Sequence, residues 1–98
     1  MVTRVLERDL ERFFAKECKR LGLVTLKLSL NFSTGWPDRL VLLSDNRVLW
    51  VELKTLTGVL SPRQVSVHKT MQQHGHHVLV IRTKKEITDA LDTTPISA

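Results

Sequence analysis

Apolar residues between Val2 and Leu21 recur at intervals of three and four: Val2, Val5, Leu6, Leu10, Phe13, Phe14, Cys18 and Leu21. That spacing lays one wide apolar stripe along a helix. Thr3 is suited to cap its start, and Gly22, free to take the left-handed turn, to end it. Glu17 falls near the middle of the stripe, and periodicity does not explain it. After Gly22 the period changes to two. Val24, Leu26, Leu28 and Leu30 alternate with Thr25, Lys27 and Ser29, the pattern of a half-buried strand. Asn31 to Pro37 reads as a turn-rich loop.

Two runs apolar on both faces follow, Arg39–Leu43 and Val48–Leu53, separated by Ser44-Asp45-Asn46. They predict a β-hairpin of central strands. Ser61-Pro62 opens a second helix, with proline at the first helical position, and Gly75 follows His74 as its stop. His77–Ile81 is a short buried strand, and Glu86–Leu91 a last short helix. The expected order is α-β-β-β-α-β, an α/β fold with a central mixed sheet flanked by helices. Residues 1–92 are expected to form a single domain, and 93–98 a flexible tail.

Composition narrows the function classes. The 98 residues carry 15 Lys+Arg against 10 Asp+Glu, a net charge of +5 that favours an anionic partner, nucleic acid first. The single cysteine, Cys18, allows no intrachain disulfide and no four-cysteine zinc site. No apolar run approaches a membrane span, and the charged N-terminus is unlike a signal peptide. A cytoplasmic protein is expected, with no membrane partner.

Asp38, Glu52 and Lys54 carry the candidate chemistry. Charged groups at poorly solvated ends of central strands are costly unless they have work to do. Glu52 and Lys54 are two apart on one strand and so share a face. Two carboxylates suit a hard divalent cation. Such an ion acidifies a water and offsets charge on a phosphoryl oxygen, while a lysine orients that water or steadies the developing charge. The ordinary structural explanation is an ion pair closing a strand end. The hairpin register decides whether Asp38 can join. A two-residue Asp45-Asn46 turn would set Asp38 opposite Leu53, pointing away from Glu52. The chemistry therefore requires a three-residue loop, with Ser44 opposite Val48 and Asp38 opposite Lys54, or a bulge.

The segments GWPDRLVLL, VLWVELK, GVLSPRQ and HGHHVLVI, in this order and spacing, resemble the virus-type replication-repair nuclease (VRR-Nuc) domain of the PD-(D/E)XK superfamily. With the first helix, the resemblance covers Glu7 to about Ile81. It implies a restriction-endonuclease-like core and Mg²⁺- or Mn²⁺-dependent phosphodiester hydrolysis, with Asp38, Glu52 and Lys54 at the catalytic positions. It also implies a first-helix glutamate as metal ligand. Glu11, eleven residues before Gly22, sits at the family's distance, with Glu7 as its rival one turn away. Gln64 matches a glutamine beside the family's active site, although Ser61-x-x-Gln64 is equally a helix capping box. Stand-alone phage-type members act on Holliday junctions as homodimers, which makes branched DNA the expected substrate and a second copy the expected partner.

Arg4, Arg8, Arg12 and Lys16 repeat every four residues as a basic ridge, either a phosphate-binding surface or an ordinary solvated face. Trp36 can stack on a base or pack against the first helix. His68, His74, His76 and His77 fit no standard zinc spacing. Val59, Leu60, Val67 and Trp36 are apolar residues in excess of what so small a core can easily cover, which favours a dimer. A non-catalytic DNA-binding module of the same fold, and a nuclease acting on flaps, DNA ends or RNA, are the alternative readings.

Overall fold

The computed structural model describes residues 5–28, 34–43 and 46–92. Val2, Thr3, Arg4, Ser29, Leu30, Ser44, Asp45 and the expected tail lie outside them. Helix α1 (Glu7–Arg20) buries Leu10, Phe14 and Cys18 completely, one residue per turn. It begins later than the apolar pattern predicts. The Asp9 carboxylate accepts from the Leu6 N–H at 3.1 Å, which fixes the start at Leu6 and leaves Val5 and Leu6 exposed. Its end is as expected. Gly22 lies at φ +70, the Leu23 N–H donates to the Cys18 carbonyl and the Gly22 N–H to that of Lys19, the Schellman pattern. Glu17 also finds its explanation: both carboxylate oxygens accept from the Arg20 guanidinium, at 2.8 and 3.2 Å.

Strands β1 (Val24–Lys27), β2 (Arg39–Leu42), β3 (Val48–Leu53) and β4 (His77–Ile81) form a sheet in that order. The first two pairings are antiparallel, and β3 pairs β4 in parallel through the crossover helix α2 (Pro62–Gln73). The sheet is mixed, as predicted. One face, carrying Val41, Leu43, Leu49, Val51, Leu53 and Ile81, closes on α1 and on Ile87 and Leu91 of the segment around α3 (Lys84–Ala90). The other face lies under α2, whose buried Met71 lines a cavity together with Trp50.

β1 departs from expectation. Its apolar residues are the exposed ones, Val24 at 55% and Leu26 at 49%, whereas Thr25 is half-buried. The register explains the inversion. Thr25 aligns with Val41 and Leu49 on the core face, while Val24, Leu42 and Val48 form a row on the α2 face. Helix α2 packs at the β4 side of that face and leaves this row uncovered.

The hairpin register also differs in detail. Leu42 opposes Val48 and the Leu43 N–H donates to the Arg47 carbonyl, so three residues connect the paired positions, with Asn46 at φ 68. Continued past Arg39↔Val51, this register sets Asp38 opposite Glu52 rather than opposite Lys54. The parity is the one the chemistry requires.

Candidate active site

Continued one residue beyond β2, the register sets Asp38 opposite Glu52, so that their side chains share one face of the sheet. Lys54, two residues beyond Glu52, shares it, and its N–H extends the ladder to the Ile81 carbonyl at 3.0 Å. The segment after Lys54 is pinned by Arg82, whose guanidinium donates to the carbonyls of Thr55 and Gly58 at 2.6 Å each.

The loop carrying Asp38 is held against the start of α2. Gly35 adopts φ +87, and a Cβ there would lie 2.8 Å from the Arg63 carbonyl oxygen. Only glycine permits both the conformation and the approach. Gly35→Ala is therefore expected to lower stability by about 1–3 kcal/mol and to displace Asp38. Urea unfolding checks the first effect, and a chemical-shift map confined to the loop and α2 the second.

Gln64 sits at that same helix start. Its Oε1 accepts from the Ser61 N–H at 2.9 Å while its own N–H donates to the Ser61 hydroxyl at 3.1 Å. The capping box is formed, and this amide oxygen is taken up by it.

Glu52 is buried, and burial pushes its carboxyl up to about 7. The Asp38 charge adds to the rise, Lys54 opposes it, and Glu7 contributes a smaller rise. Its Oε1 is buried without a hydrogen-bond partner, and so is Nε2 of His68 on α2, 3.9 Å away. Burial lowers the His68 pKa. His68 escaped sequence reasoning because it stands among four histidines, and its burial follows from α2 crossing over β3. Since desolvation is the largest cause of the Glu52 shift, His68→Ala should admit water and bring the Glu52 pKa down. A carboxylate ¹³C NMR titration measures this, and an unmoved midpoint would contradict it.

Helix α1 does not bring its two candidate ligands, Glu7 and Glu11, to the same place. Glu11 Oε1 lies 3.7 Å from Arg39 Nη2 and 3.9 Å from Lys27 Nζ, residues that align on the core face of the sheet. Arg39 is buried there over the Phe14 ring at 5.6 Å. Glu7, by contrast, is close enough for its charge to act on Glu52. Arg8, Arg12 and Lys16 are exposed along α1. Trp36 lies over Trp50 with ring centroids 6.1 Å apart and planes at 56°, so it packs against the hairpin rather than α1. The buried Cys18 thiol is pushed up to about 11, mainly by desolvation, which disfavours a nucleophilic role.

Among the described residues, no three histidine, cysteine or carboxylate side chains gather as a metal-chelating group. Asp38 and Glu52 nevertheless fit a magnesium-like ion. Such ions are commonly held by one or two carboxylates and keep several waters. Glu52 Oε1 is a buried oxygen that lacks a partner, and its charge is disfavoured without a cation.

No protein-family model matches the chain. A protein of Acyrthosiphon pisum secondary endosymbiont phage 1 described as "Putative nuclease p44" is 29% identical over 77 residues, 79% of this chain and 83% of that protein. The solved structure of a VRR_NUC domain superposes with a TM-score of 0.78 at 25% identity, covering 88% of this chain and 94% of that one. By fold the chain is similar to a VRR_NUC domain, and by sequence to a phage protein described as a nuclease.

Proposed function

We propose that this nuclease domain hydrolyses DNA phosphodiester bonds with a divalent cation, Mg²⁺ or Mn²⁺, and that branched DNA such as a four-way junction is its substrate. The observation that carries the reading is the Arg39↔Val51 register, which continued by one residue sets Asp38 opposite Glu52 with Lys54 on the same face, together with the effect of the Asp38 charge on Glu52. Asp38 and Glu52 hold the cation, which when bound supplies a Lewis acid that acidifies water and offsets phosphoryl charge. Glu7, whose charge reaches Glu52, is the nearer helix-one candidate to assist them, while Glu11 is shared by Lys27 and Arg39. The Lys54 ammonium orients the attacking water and steadies charge on the phosphate. Gln64 acts at this site through the cap it forms, keeping the α2 start beside the Asp38 loop. Arg8, Arg12 and Lys16 contact phosphates along α1.

Two copies act together in this reading. One carboxylate pair cuts one strand, whereas a junction needs two cuts related by its two-fold axis. The uncovered row of Val24, Leu42 and Val48 on the α2 face supplies an apolar surface for a second copy. Of the residues expected to serve this purpose, Val59 is 83% exposed, and Leu60 and Val67 are half-buried. No helix among the described residues is long and apolar enough to cross a membrane. The test of substrate class is cleavage of labelled four-way, flap, linear-duplex and RNA substrates at equal concentration. Preferred, symmetric cutting of the four-way junction supports the proposal. Activity confined to flaps, ends or RNA assigns the domain to those substrates instead.

A further inference from the structure

A cavity of about 520 Å³ opens between the Gly35–Pro37 loop, β3 and α2, within the roughly 300–1,000 Å³ of small-ligand sites. Trp36 and Trp50 line it together with the apolar Val67 and Met71, and Arg63 and Ser66 give it a polar margin. Trp36 precedes Asp38 by two residues, and Trp50 precedes Glu52 by two. The cavity therefore lies about one same-face step, roughly 7 Å along the strands, from the carboxylate pair. Trp36 leaves 39% of its surface exposed although a partner ring is beside it.

We infer that this cavity receives an unstacked nucleobase of the substrate strand, so that the domain favours DNA with an unpaired nucleotide beside the cleavage point. This rests on the nuclease reading and adds to it the feature of the substrate being selected. Aromatic walls accept the face of any base, and an arginine at the margin suits both the base and its phosphate. A base within a duplex must first give up stacking and pairing, at a cost of about a few kcal/mol. A base already unpaired at a branch, bulge or flap avoids most of that cost.

Trp36 and Trp50 are the chain's two tryptophans, so intrinsic fluorescence reads the cavity directly. The full chain is titrated in EDTA, where no cut is made, with three DNAs of equal length: a duplex with one unpaired central adenine, the same duplex with an abasic residue there, and the fully paired duplex. The unpaired adenine should quench fluorescence and bind about tenfold more tightly than the other two. Ser66→Phe, which narrows the cavity from an exposed position, should remove that preference and keep the affinity for paired duplex. Indistinguishable quenching and affinity for the three DNAs, or a preference that survives in Ser66→Phe, overturns the inference. Cleavage in Mg²⁺ is read separately. Retained cutting without the base preference defeats this inference alone, and a base preference without cutting of any DNA defeats the nuclease reading alone.

Discussion

Glu52→Gln will abolish metal-dependent cleavage, by on the order of a thousandfold or more, and at alkaline pH it will make the protein more stable. The two effects share one cause. In the native chain the Glu52 carboxyl is pushed from 4.5 to about 7, first by burial and then by Asp38. Between those values the folded state holds a proton that the unfolded state releases, so wild-type stability in EDTA falls as pH rises through the window and stays low above it. The cost of ionising Glu52 in place is on the order of 3 kcal/mol, and glutamine has no charge to bury. Above pH 8 in EDTA, the variant should melt several degrees higher. Added Mg²⁺ should raise the wild-type melting temperature by occupying the carboxylates, and leave that of Glu52→Gln almost unchanged. DNA binding should persist in the variant, because phosphate contacts elsewhere supply affinity. A variant that melts lower than wild type at pH 8 would show that Glu52 is not a strained charge.

Placing lysines in the uncovered apolar row should convert a dimer to a monomer. In the double variant Val24→Lys and Leu42→Lys, two residues paired across β1 and β2 would carry like charges into the proposed contact. Loss of two buried apolar contacts should weaken association on the order of 30-fold or more. Light scattering at micromolar concentration would show the shift from twice the chain mass to once, and paired cuts in a four-way junction would become single nicks. The substituted side chains are 55% and 42% exposed within one chain, so the monomer should keep its fold and its cutting of simpler substrates. Wild-type protein that scatters as a monomer, with activity only on flaps, would remove both the dimer and the junction from the account.

Local chemistry made the second helix legible: serine before proline, with glutamine three residues on, predicts the cap that Ser61 and Gln64 form. The shared face of Glu52 and Lys54 was equally legible, because strand alternation alone dictates it. Features set by the packing of one element on another were not. Which face of β1 is covered depends on where α2 crosses the sheet, so the alternation of Val24 and Leu26 with Thr25 predicted the wrong side as buried. The resemblance puts Glu11 at the family's helix-one position with Glu7 as its rival, and only the packing sets Glu11 beside Lys27 and Arg39 and brings the charge of Glu7 to bear on Glu52. The helix start moved from Thr3 to Leu6 because Asp9 reaches back to cap it, a contact hidden within a continuous apolar stripe. His68 beside Glu52 is a contact between α2 and β3, with no local signature in either segment.

In the proposed function the Asp38–Glu52 pair is a metal-dependent phosphodiester-cleaving site. Its most direct measurement is the cleavage rate of an end-labelled four-way junction by wild type and by Asp38→Ala, each with Mg²⁺ and with EDTA. Wild type in Mg²⁺ should cut the strands, and the other three reactions should show no cut. Cutting by Asp38→Ala at the wild-type rate in Mg²⁺ would contradict it.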